Sequence, residues 1–153
     1  MSAAPPFERT VCACVSCVAC CKKQPGPLAL GDFERIADRL GEDVARSKLW
    51  RSPGAIVGKL VAGGLSMFRI RTITPRADAT GRCVFLGADD RCEIHDVSPY
   101  GCAFFDVHME RREGNRRADW YLRGINDNPE YARLRSTLEA SPAALALEAE
   151  ERS

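Results

Sequence analysis

The chain has 153 residues, 22 lysines and arginines against 21 aspartates and glutamates, and a formal net charge of +1; 45% of it is hydrophobic and 28% charged. That length fits one domain with a real core, and the near-neutral balance excludes the strong basic excess that a polyanion-binding protein ordinarily carries. The unusual component is cysteine: Cys12, Cys14, Cys17, Cys20 and Cys21 fall within ten residues, and Cys83, Cys92 and Cys102 form a second group.

Residues 1–11 read as a flexible arm. The start holds Pro5, Pro6, Glu8 and Arg9 and no apolar core of a secretory signal. Residues 12–27 read as a cysteine knuckle ending in the turn signal Gln24-Pro25-Gly26-Pro27. Asp32 stands where a helix N-cap is expected. Phe33, Ile36, Ala37 and Leu40 then repeat at i, i+3, i+4 and i+7, an amphipathic helix closed by Gly41. Residues 42–51 suit a second short helix. Ala55 to Gly64 is glycine-rich and carries no clear period, whereas Leu65 to Ile73 alternates as a strand. Cys83–Leu86 and Cys92–His95 are short strand-like runs whose five-residue link suits a hairpin. Pro99-Tyr100-Gly101 forms a turn before Cys102. Pro129 to Ala140 repeats apolar residues at helical spacing, and Ser141-Pro142 caps a last helix from Ala143 to Glu151. The expected organisation is an arm over residues 1–11, a cysteine-cluster domain over 12–140 and a helical tail over 141–153. The fold class is a small irregular α+β domain stabilised by metal, a knuckle and a short hairpin with helices packed outside.

Clustered thiols outside an export context point to metal or catalysis rather than disulfides, and the expected location is a reducing cytoplasm. No stretch reaches the ~20 apolar residues of a membrane helix. Cys14, Cys17 and Cys20 stand at C-x2-C-x2-C spacing. Two intervening residues let a tight turn aim both thiolates at one metal, and this spacing serves tetrahedral zinc and iron–sulfur clusters alike. The fourth ferredoxin cysteine, three residues on and followed by proline, is missing. Cys21 follows Cys20 directly, and successive side chains diverge, so one of the two serves a second metal, bridges two metals or stays free. The remaining ligands are expected from Cys83, Cys92 and Cys102, closing an all-thiolate cage. Cys12 lies outside the clean spacing and reads as a small buried hydrophobe. Cys17→Ser or Cys83→Ser is thus expected to lower bound metal, and Cys12→Ser to leave it unchanged.

These residues resemble a known family. Cys14-x2-Cys17-x2-Cys20-Cys21, then Cys83-Val-Phe-Leu86, then Cys92-Glu-Ile-His95-x3-Pro99-x2-Cys102 are similar to the YkgJ-type cysteine-cluster family, described as zinc- or iron-chelating proteins. The resemblance implies seven metal ligands: Cys14, Cys17, Cys20, Cys21, Cys83, Cys92 and Cys102. It covers the knuckle and residues 81–105 closely and the Leu28–Leu40 region more weakly. The chain departs from the family pattern at Val18, His95, Ser98 and Ala103, and the arginines lost with the last two remove cations that would balance an anionic thiolate site.

Outside the cysteines, His95 reads as a surface or hydrogen-bonding residue rather than a ligand, because residues three apart in a strand face opposite ways. His108 with Asp106 could form an acid–base pair, but no nucleophile motif stands nearby. The arginines at 111, 112, 116, 117 and 123 alternate with Glu110, Glu113 and Asp119 and read as a solvated face, which disfavours a nucleic-acid partner. Trp120 and Tyr121 read as packing residues. The function expected is a metal-binding protein holding zinc or an iron–sulfur cluster through its cysteines; the alternative is an iron–sulfur redox or sensor protein, or an oxidoreductase-type metalloenzyme. The partner expected, if any, is a protein and not a membrane.

Overall fold

The computed structural model describes residues 4–10, 12 and 14–153, with Cys20 described in its backbone alone. Its element order is α1 (Val15–Lys23), α2 (Asp32–Leu40), α3 (Glu42–Ser47), β1 (Leu49–Val61), β2 (Gly64–Pro75), a 3-10 turn (His95–Val97), α4 (Tyr100–Ala103), α5 (Arg111–Ile125), α6 (Pro129–Ser136) and α7 (Pro142–Arg152). This is the expected α+β class.

The expected knuckle is a helix over most of its length. The Cys14 carbonyl accepts the first helical bond from the Val18 N–H at 2.9 Å, and α1 then runs to Lys23, placing two lysines in its last turn where cations suit the helix dipole. The amphipathic helix α2 buries Phe33 and Ile36 and stops where the Gly41 N–H bonds back to the Ala37 carbonyl at 2.7 Å. Its N-cap is Gly31, not Asp32. The Asp32 carboxylate instead accepts the N–H groups of Ala29 and Tyr100, each at 2.7 Å, and pairs with Arg35 one turn along the helix.

The helix expected over 42–51 ends at Ser47, and the chain enters β1 at Leu49. The strands β1 and β2 pair antiparallel from Leu49↔Pro75 to Val61↔Gly64, with a bulge between Ser52 and Ala55. The root of this hairpin is core: Leu49, Ile70 and Ile73 are buried with Leu28, Ile36, Phe85, Ile94 and Tyr100. The far end projects, with Leu60 84% exposed and Leu65 and Met67 beside it in solvent. Helices α3, α6 and α7 pack on β1. Tyr131 on α6 donates its hydroxyl to the Leu28 carbonyl at 2.8 Å and accepts the Ile73 N–H at 2.9 Å, so one buried side chain ties a helix, a strand and the loop before α2. Ser141 caps α7 as expected, accepting the Ala144 N–H at 3.0 Å, and Glu148 anchors the helix to Arg51 on β1 at 2.9 Å.

The two runs of the expected hairpin at 83–95 meet in one antiparallel bridge, Leu86↔Cys92, flanked by the Gly87 N–H on the Arg91 carbonyl at 2.9 Å and the Glu93 N–H on the Phe85 carbonyl at 2.8 Å. Residues 83–97 otherwise form successive turns, with a second isolated bridge at Ala77↔Cys83. The run is short and punctuated by Gly87 and by Asp90, whose φ of 61° is left-handed, so no ladder extends. Of the segment read as a loose arm, the described residues 4–10 lie along the body. Its Thr10 N–H bonds the Ala103 carbonyl at 2.6 Å, Arg9 donates to the His95 carbonyl at 3.0 Å, and Phe7 meets Trp120 edge-on at 6.2 Å.

Candidate metal centre

Three cysteines and a histidine converge at the start of α1. One ligand atom each from Cys12, Cys14, Cys17 and His108 lies within 4.8 Å of all the others. Two of these are the expected Cys14 and Cys17. On a helix, positions three apart share a face, which is what the C-x2-C spacing achieves here. The other two were not expected. Cys12 belongs to the group rather than to the core, and His108 arrives from the loop after α4. Among the described residues the compact group is three thiols and an imidazole, where the expectation was thiolates alone.

The loop carrying His108 is fixed by local bonds. The Asp106 carboxylate accepts the His108 backbone N–H at 2.8 Å; it does not touch the ring, so the acid–base pair is not formed. The ring instead places Nε2 3.4 Å from the Cys14 sulfur. Cys14 is pulled down to about 6, first by the Cys17 backbone N–H that donates to it and then by His108 and the neighbouring thiols. For Cys17 the Val107 backbone N–H favours the thiolate, but burial and the thiols of Cys12 and Cys14 outweigh it and push Cys17 up to about 11. Part of the contrast comes from proximity. Thiolates this close repel, so the metal-free group shares protons among its members, and a dication removes that repulsion.

The remaining described cysteines surround a neighbouring cavity of about 440 Å³, whose wall includes Cys21, Cys83, Cys92, Cys102 and the exposed His95. Cys12 and Cys17 also reach it. Cys21 lies one helical turn beyond Cys17. Its sulfur bonds the Cys102 thiol, which draws Cys21 down to about 7 and raises Cys102 well above the ordinary range. Burial pushes Cys83 up to about 12 and raises Cys92 as well. The Cys20 side chain lies outside the described residues.

Two glycines make this gathering sterically feasible. A Cβ on Gly26 would lie 2.2 Å from the Gly101 carbonyl carbon, and one on Gly101 would lie 2.2 Å from Pro27. The two turns, read from sequence as separate breakers, press backbone to backbone, and the Gly26 N–H reaches the Cys102 sulfur at 3.3 Å. The Cys83 backbone N–H bonds the Cys21 carbonyl at 2.7 Å, which brings the second cysteine group to the end of α1.

His108 stands six residues past the last expected ligand, and the signal for it lay in being the one histidine near the cysteines that was not placed on a strand. Nothing in spacing marks Cys12.

A comparison with family models matches residues 13–121 to the family CxxCxxCC, described as "Putative zinc- or iron-chelating domain". No curated protein and no solved structure matches the chain. Among the described residues no helix is long and apolar enough to cross a membrane.

Proposed function

The chain belongs to the CxxCxxCC family of zinc- or iron-chelating domains, and from that premise we propose that it is a chelating domain whose compact site of Cys12, Cys14, Cys17 and His108 holds a single tetrahedral ion, zinc in the first instance. The observation that carries this is the closure of four soft donors within 4.8 Å. In a tetrahedron with metal–sulfur bonds of about 2.3 Å the donors sit roughly 3.8 Å apart, so side-chain rotation alone reaches that spacing. Three thiolates and a neutral imidazole are a common structural zinc set. The donors already carry their supports: the Cys17 N–H on Cys14 and the Val107 N–H on Cys17 are the outer hydrogen bonds that fix ligand orientation and stabilise thiolate charge.

With all four positions filled by protein, a bound zinc ion keeps no open place for water, so the reading is structural or carrier chelation rather than hydrolysis. The location remains the reducing cytoplasm proposed from cysteine usage, where thiols stay available to metal.

The experiment is elemental analysis with a visible spectrum on protein purified without oxygen, alongside Cys14→Ser and His108→Ala. The expected result is bound zinc that falls in both variants. Iron with acid-labile sulfide, unchanged in both variants, would overturn the assignment of this site to zinc.

A further inference from the structure

We propose that the arginine-lined cavity between the root of the hairpin and α6 is a binding site for a small phosphorylated anion, built without any of the cysteines.

The cluster is assembled by the fold from positions scattered in the chain. Arg51 of β1, Arg69 and Arg71 of β2, and Arg135 of α6 all line one cavity of about 490 Å³. Side chains two apart on a strand lie on one side of the sheet, which groups Arg69 with Arg71. Arg51 joins them because its register partner is Ile73, two residues beyond Arg71. Arg135 then closes on the strands beside the bulge, its Nε donating to the Thr72 carbonyl at 3.1 Å and its Nη2 to the Ser52 carbonyl at 2.6 Å.

The ion pairs show which of the four charges are left open. Glu148 pairs with Arg51 and Glu151 with Arg71, both from α7. Among the described residues no carboxylate pairs with Arg69 or Arg135. Arg135 is half-buried and its two bonds go to neutral carbonyls. Burial, and then repulsion from Arg71 and Arg51, lower its pKa. A cation withdrawn from water without a counter-charge is costly, and a bound anion offsets that cost. Its Nη1 takes no part in the two carbonyl bonds. Arg69 is half-buried as well, and among the described residues it makes no ion pair and no side-chain hydrogen bond.

The rest of the wall suits an oxyanion. Asn126 and Asn128 line it. Asn128 caps α6, accepting the Tyr131 N–H through Oδ1 at 2.9 Å, which leaves its amide N–H groups as donors and sets the positive end of that helix's dipole at the cavity. Asp127 is the one acid in the lining, so the two open guanidiniums stay in excess. Guanidinium forks with neutral donors around them match a phosphoryl group, whose several oxygens accept from different directions. The volume exceeds the need of a bare phosphate and lies in the ordinary range for small-molecule pockets, so the class is a phosphate ester. Asn126, Asn128 and Arg135 stand beyond residue 121, where the family match ends, so this wall is built outside the chelating domain.

The test adds inorganic phosphate to the full chain in about 0.15 M salt, where loose surface attraction is screened, and follows the phosphorus NMR signal. The expected result is saturable binding, weakened by ~tenfold or more in Arg69→Gln, the scale of one lost charge-assisted hydrogen bond. That variant should melt where the wild type does in the absence of phosphate, because Arg69 is uncommitted. Asn126→Asp, at an exposed position, should abolish binding by adding a negative charge, and it decides the matter if Arg69→Gln is unstable. Bound metal should be unchanged in both. Absence of saturable binding to the wild type overturns the proposal, as does equal binding in the wild type and both variants. Binding that is lost only where metal is lost overturns it too, since the anion then belongs to the metal. Acetate held as tightly as phosphate overturns the assignment to a phosphoryl group.

Discussion

At the scale of single residues, the site depends on side chains that are not themselves ligands. Asp32 is nearly fully buried and holds the Ala29 and Tyr100 N–H groups with one carboxylate oxygen. Tyr100 starts the short helix that carries Cys102, so the aspartate fixes the position of a thiol two residues further on. Asp32→Ala leaves two buried donors without partners, each worth about 1–3 kcal/mol. The expected outcome is a lower urea midpoint and weaker retention of metal against a chelator. Equal retention would show that Cys102 is placed without it. Cys12→Ser is now expected to lower bound zinc, opposite to the expectation from spacing, and metal analysis of that single variant decides between the two. Spacing did not place Cys12 in the group because C-x2-C geometry describes only residues within one turn, whereas Cys12 and His108 reach the group by the path of the chain around it.

At the scale of elements, what was legible followed periodicity. The 3.6-residue pattern from Phe33 to Leu40 became α2, the alternation from Leu65 to Ile73 became most of β2, and Ser141-Pro142 began α7. What was illegible lacked a local signal. The run Leu49–Val61 carries Pro53 and three glycines or alanines, and it becomes a strand only because β2 offers a partner along its length. Helix α5, read only as a charged face, is stabilised by ion pairs one turn apart, Glu113 with Arg117 at 3.0 Å and Asp119 with Arg123 at 2.9 Å. Its Tyr121 and Ile125 are buried, as the packing reading of Tyr121 anticipated. The turns at Gly26 and Gly101 were visible as breakers, but their contact was not, because close approach of two backbones is a tertiary fact. Gly101→Ala is expected to force the turns apart by roughly the van der Waals overlap of a methyl group, at a cost of about 1–3 kcal/mol for an overpacked site. The measurement is thermal unfolding with and without metal; an alanine tolerated at full stability and full metal content would contradict the packing described.

At the scale of the whole molecule, the metal and the fold act as one system. The turns at 83–97 are held by isolated bridges and single turn bonds rather than by a ladder. A ligand that binds only the folded chain adds about 2.7 kcal/mol at a hundred times its Kd, so stripping the metal is expected to lower the melting temperature and to loosen residues 83–102 before α2 and the strand root. Hydrogen exchange along the chain checks this order. Acid should act in the same direction. Cys17 at about 11 and Cys83 at about 12 are protonated near neutral pH in the metal-free chain, so metal must displace those protons. Apparent affinity then falls with falling pH, by up to ~tenfold per pH unit for each proton released; Cys14, at about 6, adds to that slope only in more acid solution. Competition against a chelator at several pH values measures the slope, and a flat profile would mean that these thiols are not ligands. Losing metal also has a chemical sequel. The hydrogen bond between Cys21 and Cys102 leaves Cys21 about half thiolate at neutral pH, with a thiol in contact. Peroxide converts such a thiolate to sulfenic acid, which condenses with the adjacent thiol and releases water. An emptied molecule in an oxidising setting therefore locks this pair as a disulfide, and regains its capacity for metal only after a reductant has opened it.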